Sequence, residues 1–472
     1  MSFRGLLVRV CSVMMLLGGA GATFAQPHVP AQAPLVVATT PARSTDTTSQ
    51  PADDAGATPD EVKAPLRQDV DEPIVAALRI GDWFTAGGTL SSEFRGFAKP
   101  TALGEPELRS DEKLGSSLQI RTLIMPVKGI EFFSRLELAG DYRFMGPVAP
   151  ADTGLRHTIR EAYLEVETIG GLPIGIQVGR QRFRDSQEFF FDDTLDAARV
   201  RAQFGRWRFE AAIAESLDGT PYEERADEQK RHYIGQIQRR VTRQVRATGF
   251  VIARADRSSR RDEPVWFGVT LASRGAHDVM FWSNAAARRG HSNGTTLRGW
   301  AADGAVTWHT RTAWRASLTA GYSWASGDDD SVDTTDGAFR QPAMADNAGR
   351  LGGIRRVRLF GEAFDPELSN MRILTLAISL RPAQGWSTDV IVHRYAQDVA
   401  RRRLADNAFE VRANGDSTDL GRALDVQLVR RIGRRVDLFL ASGLFLPGRA
   451  FDAVARPNRV VFTFRPQVRV YF

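Results

Sequence analysis

Arginine is the residue type in this sequence whose chemistry stands out. Lysine occurs at only a few of the 62 basic positions, namely Lys63, Lys99, Lys113, Lys128 and Lys230. A guanidinium forks onto a carboxylate or a phosphate with two parallel hydrogen bonds and never loses its proton. Such side chains can bind or guide an acidic partner, although a genomic preference for arginine codons explains this composition equally well.

Residues for covalent or metal chemistry are scarce by comparison. The only cysteine, Cys11, lies in an N-terminal apolar run, so disulfides, cysteine metal sites and cysteine catalysis are excluded downstream of it. The seven histidines are widely scattered. We therefore expect no enzyme activity, no metal and no cofactor. A surface hydrolase that assembles Ser, His and Asp from distant strands remains the alternative.

The N-terminal region predicts export from the cytoplasm. Arg4 and Arg9 precede an apolar run that ends at Leu17, and small residues follow up to Ala25. This pattern predicts a signal peptide over residues 1–25. Residues 26–75 carry no periodic apolar pattern, so we expect a disordered Pro/Ala-rich periplasmic arm, with a partner-binding segment as the alternative. Residues 76–472 then form one domain.

The body of the chain alternates between apolar and polar residues. In the segment 314–324 the even positions are apolar or aromatic and the odd positions are polar or glycine, and segments 130–141, 206–213 and 374–381 repeat the pattern. A soluble sandwich alternates too, but here the last strand ends in the aromatic Phe472 and carries alternate apolar residues, as outer-membrane strands do. No apolar run after the signal is long enough for a helical span. The pattern predicts an all-β, single-chain transmembrane antiparallel β-barrel in a Gram-negative outer membrane.

The length of the domain sets the number of strands. Residues 76–472 give 472 − 76 + 1 = 397 positions, and roughly 22 residues per strand and connection predict about 18 strands. A barrel of this size is wide enough for a pore. Polar stretches at 254–263, 288–296 and 326–349 are expected to be outer loops. The aspartates at 328–330 and 333 could bind calcium, but a solvated acidic loop is the preferred interpretation.

Three segments resemble the alginate export family: Val178–Ser186 (VGRQRFRDS), Phe360–Asn370 (FGEAFDPELSN) and Gly443–Gly448 (GLFLPG). The resemblance covers most of residues 85–472. It implies an 18-stranded barrel whose electropositive constriction passes a polyuronate from the periplasm to the exterior. Carried over by motif, the expected pore residues are Arg121, Arg160, Arg180, Arg182, Arg356 and, as a looser match, Arg350, with Glu161 and Asp193 at acidic positions.

Strand periodicity supports only some of these positions. Gln119 and Arg121 alternate with apolar neighbours, which predicts a lumen position for Arg121. Arg160 lies an even number of residues from Leu164, so alternation places it on the lipid side of its strand. Alternation likewise places Arg180 and Arg182 on the same side as the apolar Ile176 and Val178. Either a bulge at Gly179 turns the two arginines of this run inward, or they lie beyond the lipid band.

Two departures from the family pattern predict a less positive constriction. A basic residue that the family places in its first strand has no clear counterpart near Thr89 to Glu93, and Phe439 occupies the place of a family arginine. Arg469 is expected on the lumen face but outside the constriction.

These observations predict a channel for an acidic polysaccharide such as alginate. The expected partners are that polymer, outer-membrane lipid and a periplasmic export-complex protein, with no nucleic acid. An anion-selective porin for small acidic solutes is the alternative, followed by a surface enzyme or adhesin.

Deletion of Gln26 to Asp71 should leave barrel assembly and conductance unchanged, because nothing in this segment can pack. Heat-modifiable gel migration and planar-bilayer recordings check this, with a Gly/Ser replacement of equal length as the control. Loss of folded barrel in both variants would show that the segment is structural.

Overall fold

The computed structural model describes residues 77–98, 111–145, 151–152, 154–215, 230–256, 262–273, 278–330, 332–342, 344–404, 407–408, 412–451 and 460–472. The signal peptide and arm predicted over residues 1–75 lie outside these ranges, so both remain predictions. Among the described residues, none belongs to a helix with the length and hydropathy needed to cross a bilayer.

Eighteen long strands form one sheet in the described part of the chain. They are β1 (Phe84–Ala98), β2 (Asp111–Val127), β3 (Ile130–Met145), β4 (Arg156–Val166), β5 (Ile174–Arg184), β6 (Asp192–Phe204), β7 (Trp207–Glu215), β8 (Lys230–Arg240), β9 (Val245–Asp256), β10 (Asp262–Ser273), β11 (Val279–Ser292), β12 (Thr295–His309), β13 (Ser317–Ala325), β14 (Met371–Leu380), β15 (Trp386–Gln397), β16 (Asp419–Ile432), β17 (Val436–Pro447) and β18 (Val461–Tyr471).

Consecutive strands pair in antiparallel fashion, and β18 returns to β1 through a register that includes Thr89↔Tyr471 and Ala98↔Phe462. This pairing closes the sheet and leaves no free edge between the first and last strands. The prediction of an all-β, single-chain antiparallel barrel of about 18 strands is confirmed.

The alternation of the sequence becomes the two faces of the barrel wall. In β13, Ser317, Thr319 and Ser323 are buried on the inside, whereas Leu318 and Tyr322 are 45% and 52% exposed on the outside. The other alternating segments follow the same rule, with exposed outward residues that include Phe132, Leu136, Trp207, Ile213, Leu374, Leu376 and Ile378. The outer surface is therefore an apolar band suited to lipid.

The two ends of the barrel differ in the length of their connections. One end carries short ones, such as residues 128–129, 205–206 and 433–435, while the other carries long ones that include 326–370 and 398–418. Short periplasmic turns and longer outer loops are typical of outer-membrane barrels. We therefore name the two the periplasmic end and the outer end.

Residues 326–370, which we name the inner loop, begin at the outer end and descend through the lumen. Arg381, in a periplasmic turn, donates to the carbonyl oxygens of Gly352 and Gly353 at 2.7 and 2.6 Å. Phe339 is fully buried, and the side-chain amide of Gln341 donates to the Phe189 carbonyl at 2.7 Å. The interpretation of 326–349 as an outer loop is therefore wrong at Phe339 and Gln341, whose side chains find partners inside the barrel. It agrees with the earlier part of the segment, where Thr335 and Asp336 pair with Thr296 and Leu297 at the outer end and Val332 is 92% exposed.

Buried polar groups of the wall hold the inner loop in place. The carboxylate of Asp389 accepts a hydrogen bond from the Gly353 amide and that of Asp425 one from the Glu362 amide, both at 3.1 Å. The Tyr395 hydroxyl donates to the Phe360 carbonyl at 2.9 Å. The loop thus has its backbone groups satisfied by β15 and β16, as burial requires.

A second inward segment is the outer half of the β5–β6 hairpin, residues 180–196, which we name the inner hairpin. Pairing between β4 and β5 ends at Ala162↔Arg180, although β4 continues to Arg156. The strand bends at Gly179, whose φ is +122° and where a Cβ atom would clash with the Ala162 carbonyl oxygen. One face of the hairpin packs on the wall, with the Phe190 and Phe250 ring centroids 4.1 Å apart.

Leu376→Arg should lower the free energy of unfolding of the barrel by about 2–4 kcal/mol, because Leu376 faces the middle of the lipid band. Ile432→Arg is the matched control at the periplasmic end of β16, where the cost should fall to about 0–1 kcal/mol. Urea unfolding in lipid vesicles measures both. Equal losses would contradict the assignment of the outer face.

Candidate functional site

A cavity of about 420 Å³ lies in the lumen between the inner hairpin, the inner loop and the walls β2–β4 and β16–β18. Arginines outnumber acidic residues in its lining. The arginines are Arg135, Arg160, Arg180, Arg182, Arg184, Arg355, Arg356, Arg358, Arg431, Arg465 and Arg469. The acidic residues are Glu188, Asp192, Asp193, Asp346, Glu362 and Asp437.

The inner hairpin brings Arg180 and Arg182 to this cavity. Phe183 and Leu195, on the other face of the hairpin, are buried in the apolar cluster against the wall. The face that continues from Ile176 and Val178 therefore turns toward the lumen. Pairing of this strand with β4 and β6 shows no register shift, so a bulge does not account for these arginines. The bend at Gly179 turns them inward instead.

Both of these predicted arginines are ion-paired. The Arg180 guanidinium lies 2.7 Å from Asp196, and Nε of Arg182 donates to Asp192 at 2.7 Å. Asp193, predicted at an acidic position, also lines the cavity.

Arg160 reaches the lumen by a different device. The β3–β4 register shifts between Arg135 and Leu136, so that Arg135 pairs with Glu161 and Leu136 with Ile159. Arg160 is the extra residue of this β-bulge, which releases it from the lipid-side parity that the sequence indicates. Its guanidinium donates to both carboxylate oxygens of Glu137, at 2.6 and 3.1 Å.

Arg121 and Glu161 lie beside the cavity without lining it. Glu161 holds the Arg135 guanidinium at 2.7 Å. Arg121 lies directly across from Arg135 in the β2–β3 register, on the same face of β2 as Gln119, which lines the cavity. The predicted lumen orientation of Arg121 agrees with this geometry.

The inner loop supplies Arg356. One terminal nitrogen of its guanidinium donates to the Ser186 carbonyl at 2.9 Å and lies 3.2 Å from Glu188. It thereby joins the inner loop to the tip of the inner hairpin. Arg350 is exposed, and the cavity lining does not include it.

Several lining arginines were not predicted from the sequence. Alternation places Arg469 on the lumen face, and Arg465 lies on the same side of β18, so alternation could have found Arg465 too. The expectation that Arg469 lies outside the constriction is wrong, because the inner loop narrows the lumen down to its level. Arg355 and Arg358 lie in the loop, where no periodicity marks them.

Two guanidiniums lie close to the Phe439 ring, so positive charge is present at this position of the cavity. The Arg355 guanidinium carbon lies 3.8 Å from the centroid of the Phe439 ring, and that of Arg465 lies 5.4 Å away. Arginines of the inner loop and β18 therefore cover the aromatic ring, and the expectation of a less positive constriction than in the family stays a prediction.

Two other sequence features have local structural roles. Residues 290–294 (GHSNG) match the spacing of a serine nucleophile elbow, yet they form the tight hairpin between β11 and β12, with positive φ at Asn293 and Gly294. An elbow needs a strand-to-helix turn. In the acidic stretch, Asp330 and Asp333 accept hydrogen bonds from nearby backbone amides, and Asp328 does so from Gly337.

Glu188 occupies the contact between the two inward segments. Its backbone carbonyl accepts hydrogen bonds from the amides of Asp346 and Asn347, both at 3.0 Å. Burial first, and then the carboxylates of Asp192 and Asp346, raise the pKa of Glu188 to about 7, against the opposite effect of Arg356 and Arg184. Its side chain can therefore change charge near neutral pH.

A closed barrel with an apolar outer band and a lumen narrowed by charged inward segments defines a porin-type outer-membrane channel. Solved structures share this fold. OccAB3 of Acinetobacter baumannii aligns over 83% of this chain and all of its own, with a TM-score of 0.57 and 10% identity. The outer membrane protein OpdK of Pseudomonas aeruginosa aligns over 82% of this chain and 98% of its own, with a TM-score of 0.54 and 11% identity.

The sequence profile named alginate export matches residues 102–460, and the chain belongs to this family. It is 25% identical to the alginate production protein AlgE of Azotobacter vinelandii over 183 residues, 34% of this chain and 37% of that protein. It is 22% identical to AlgE of Pseudomonas aeruginosa over 339 residues, 58% of this chain and 66% of that protein. The matches thus span less than two thirds of either relative.

The predicted family and the bacterial outer-membrane location are confirmed. Fold and family together point to a transport channel rather than an enzyme.

Glu188→Gln should abolish a pH step in ion selectivity. Wild-type Glu188 gains a proton as the pH falls through about 7, which adds one positive charge to the lumen, so anion preference should rise below that pH. By linkage, its contribution to stability should fall as the pH rises from the ordinary glutamate value to about 7.

Reversal potentials recorded in planar bilayers between about pH 5.5 and 8.5 bracket this pKa and measure the step. His157→Gln is the control, because His157 lines a neighbouring cavity that shares Arg160 and Arg180 with this one. A step that survives in Glu188→Gln and vanishes in His157→Gln would assign it to the imidazole instead.

Proposed function

We propose that this chain exports an acidic polysaccharide, an alginate-like polyuronate, through the arginine-lined cavity of its lumen. The observation that carries the proposal is the convergence of guanidiniums from three parts of the chain on one cavity with fewer carboxylates. A polyuronate offers one carboxylate per sugar, which matches the bidentate geometry of arginine. The family match, and the names of the two relatives, favour the same class of substrate.

Ion pairs with carboxylates of the lumen weaken the attraction of the lining arginines for the polymer. Arg160, Arg180 and Arg182 each have a carboxylate partner within 2.7 Å. A pore conducts only when binding is strong enough to draw the solute in and weak enough to release it. Paired arginines share their donors, so a passing carboxylate is attracted but not trapped.

Export direction and a periplasmic partner belong to the same proposal. β1 begins and β18 ends at the periplasmic end. A polymer delivered there by an export-complex protein would meet the periplasmic mouth of the cavity, where Arg431 and Arg469 lie.

Charge reversal of Arg121, Arg160, Arg182 or Arg356 to Glu should lower anion preference and weaken block by oligouronates. Each change should cost about 1–3 kcal/mol of interaction with a carboxylate in the partly dehydrated lumen. Barrel yield should hardly change, because lumen substitutions tune selectivity. Planar-bilayer reversal potentials and block titrations measure the effect.

Arg311→Glu is the matched control, since Arg311 is highly exposed in a periplasmic turn beside Asp278. A wild-type channel without anion preference or oligouronate block would overturn the proposal. Block by small dicarboxylates but not by oligouronates would instead assign the protein to small acidic solutes.

A further inference from the structure

Arg355 differs from nine of the ten other arginines around the cavity. Arg135, Arg160, Arg180, Arg182, Arg184, Arg356, Arg358, Arg431 and Arg465 each have a carboxylate partner. Within the part of the chain that the structure describes, no carboxylate lies within ion-pair distance of Arg355. Its hydrogen bond goes instead to the neutral side chain of Gln467, from a terminal nitrogen to Oε1 at 2.5 Å.

Two contacts fix the orientation of this guanidinium. Its carbon lies 3.8 Å from the Phe439 ring centroid, so the ring covers one face, and Gln467 takes one N–H group. A guanidinium has five N–H donors. Since Arg355 lines the cavity, the donors that Gln467 does not use are available to a solute there. The group is therefore oriented before any ligand arrives.

The electrostatic surroundings of Arg355 favour the arrival of an anion. Burial first, and then the nearby Arg469 and Arg465, lower the pKa of Arg355 to about 10, against the weaker opposite effect of Tyr471 and Asp437. Arg355 remains a cation at neutral pH. A carboxylate placed beside it would relieve repulsion among three guanidiniums without displacing an existing ion pair at Arg355.

We propose that Arg355, oriented by Phe439 and Gln467, is the carboxylate-binding subsite of the constriction, where one uronate carboxylate docks edge-on to the guanidinium. This inference rests on the proposed function and assigns the strongest contact between the lumen and the polymer to one residue. An ion-paired arginine such as Arg180 contributes only its positive electrostatic potential, because its donors are already engaged by Asp196. Arg355 contributes both a positive electrostatic potential and direct hydrogen bonds to the carboxylate.

The test compares Arg355→Gln with Arg180→Gln in planar bilayers. Both variants change the charge of the lumen by one, so an effect of field alone would weaken oligouronate block equally. In Arg355→Gln a charge-assisted contact is lost as well, so oligouronate block should be weaker than in Arg180→Gln by about ten-fold or more. Arg355→Lys should recover ion selectivity but not the full affinity, because an ammonium cannot bind bidentately.

Phe439→Leu keeps every charge and removes only the aromatic contact. Block should weaken by about two- to five-fold while the reversal potential in simple salt stays unchanged. Heat-modifiable migration confirms that each variant is folded. Equal losses in Arg355→Gln and Arg180→Gln, or an unchanged block in Phe439→Leu, would overturn this assignment.

The wild-type recordings test the proposed function separately. If wild type is blocked by oligouronates and the variants show no excess loss at Arg355, only the subsite fails. If wild type is not blocked at all, the proposed function fails first. Free glucuronate serves as the single-carboxylate probe, and its block should show the same ranking of variants.

Discussion

Hydrocarbon contains no water to satisfy backbone amides and carbonyls, and this constraint governs the whole structure. A sheet meets it only by closing on itself. The pairing of β18 with β1 achieves this, and the alternation of side chains then divides the chain into an apolar outer surface and a polar interior. The lumen is consequently the one place where a charged group can be held without facing lipid, which is why the arginines collect there.

A closed 18-stranded wall by itself encloses a wide lumen, so selectivity depends on what fills it. The inner hairpin and the inner loop fill it from opposite sides and meet at Glu188 and Arg356. Backbone groups of the inner loop are satisfied by Asp389, Asp425 and Tyr395 of the wall. The constriction therefore stands on rigid strands rather than on free loops, and its charges keep fixed positions relative to one another.

Charge compensation separates the arginines into two groups. Most are tied to carboxylates, which keeps so many buried cations tolerable in a partly dehydrated space. Arg355 is stabilised by an aromatic face and an amide instead. This difference is invisible in the composition, where all guanidiniums count alike, and it gives a physical basis for distinguishing guiding residues from a binding residue.

The sequence by itself determined the wall. Dyad alternation predicted the strands and their faces, because one lipid-facing side per strand forces a period of two, and the length of the domain predicted the number of strands. It also indicated Arg121, whose parity is simple. Only the tertiary structure decided the positions of Arg160, Arg180 and Arg182, because a bulge in β4 and a bend at Gly179 change which side of the sheet faces the lumen. It also decided the role of the inner loop, whose contacts with Phe189, β15 and β16 join residues far apart in the chain. Parity is a local property and carries no information about such long-range contacts.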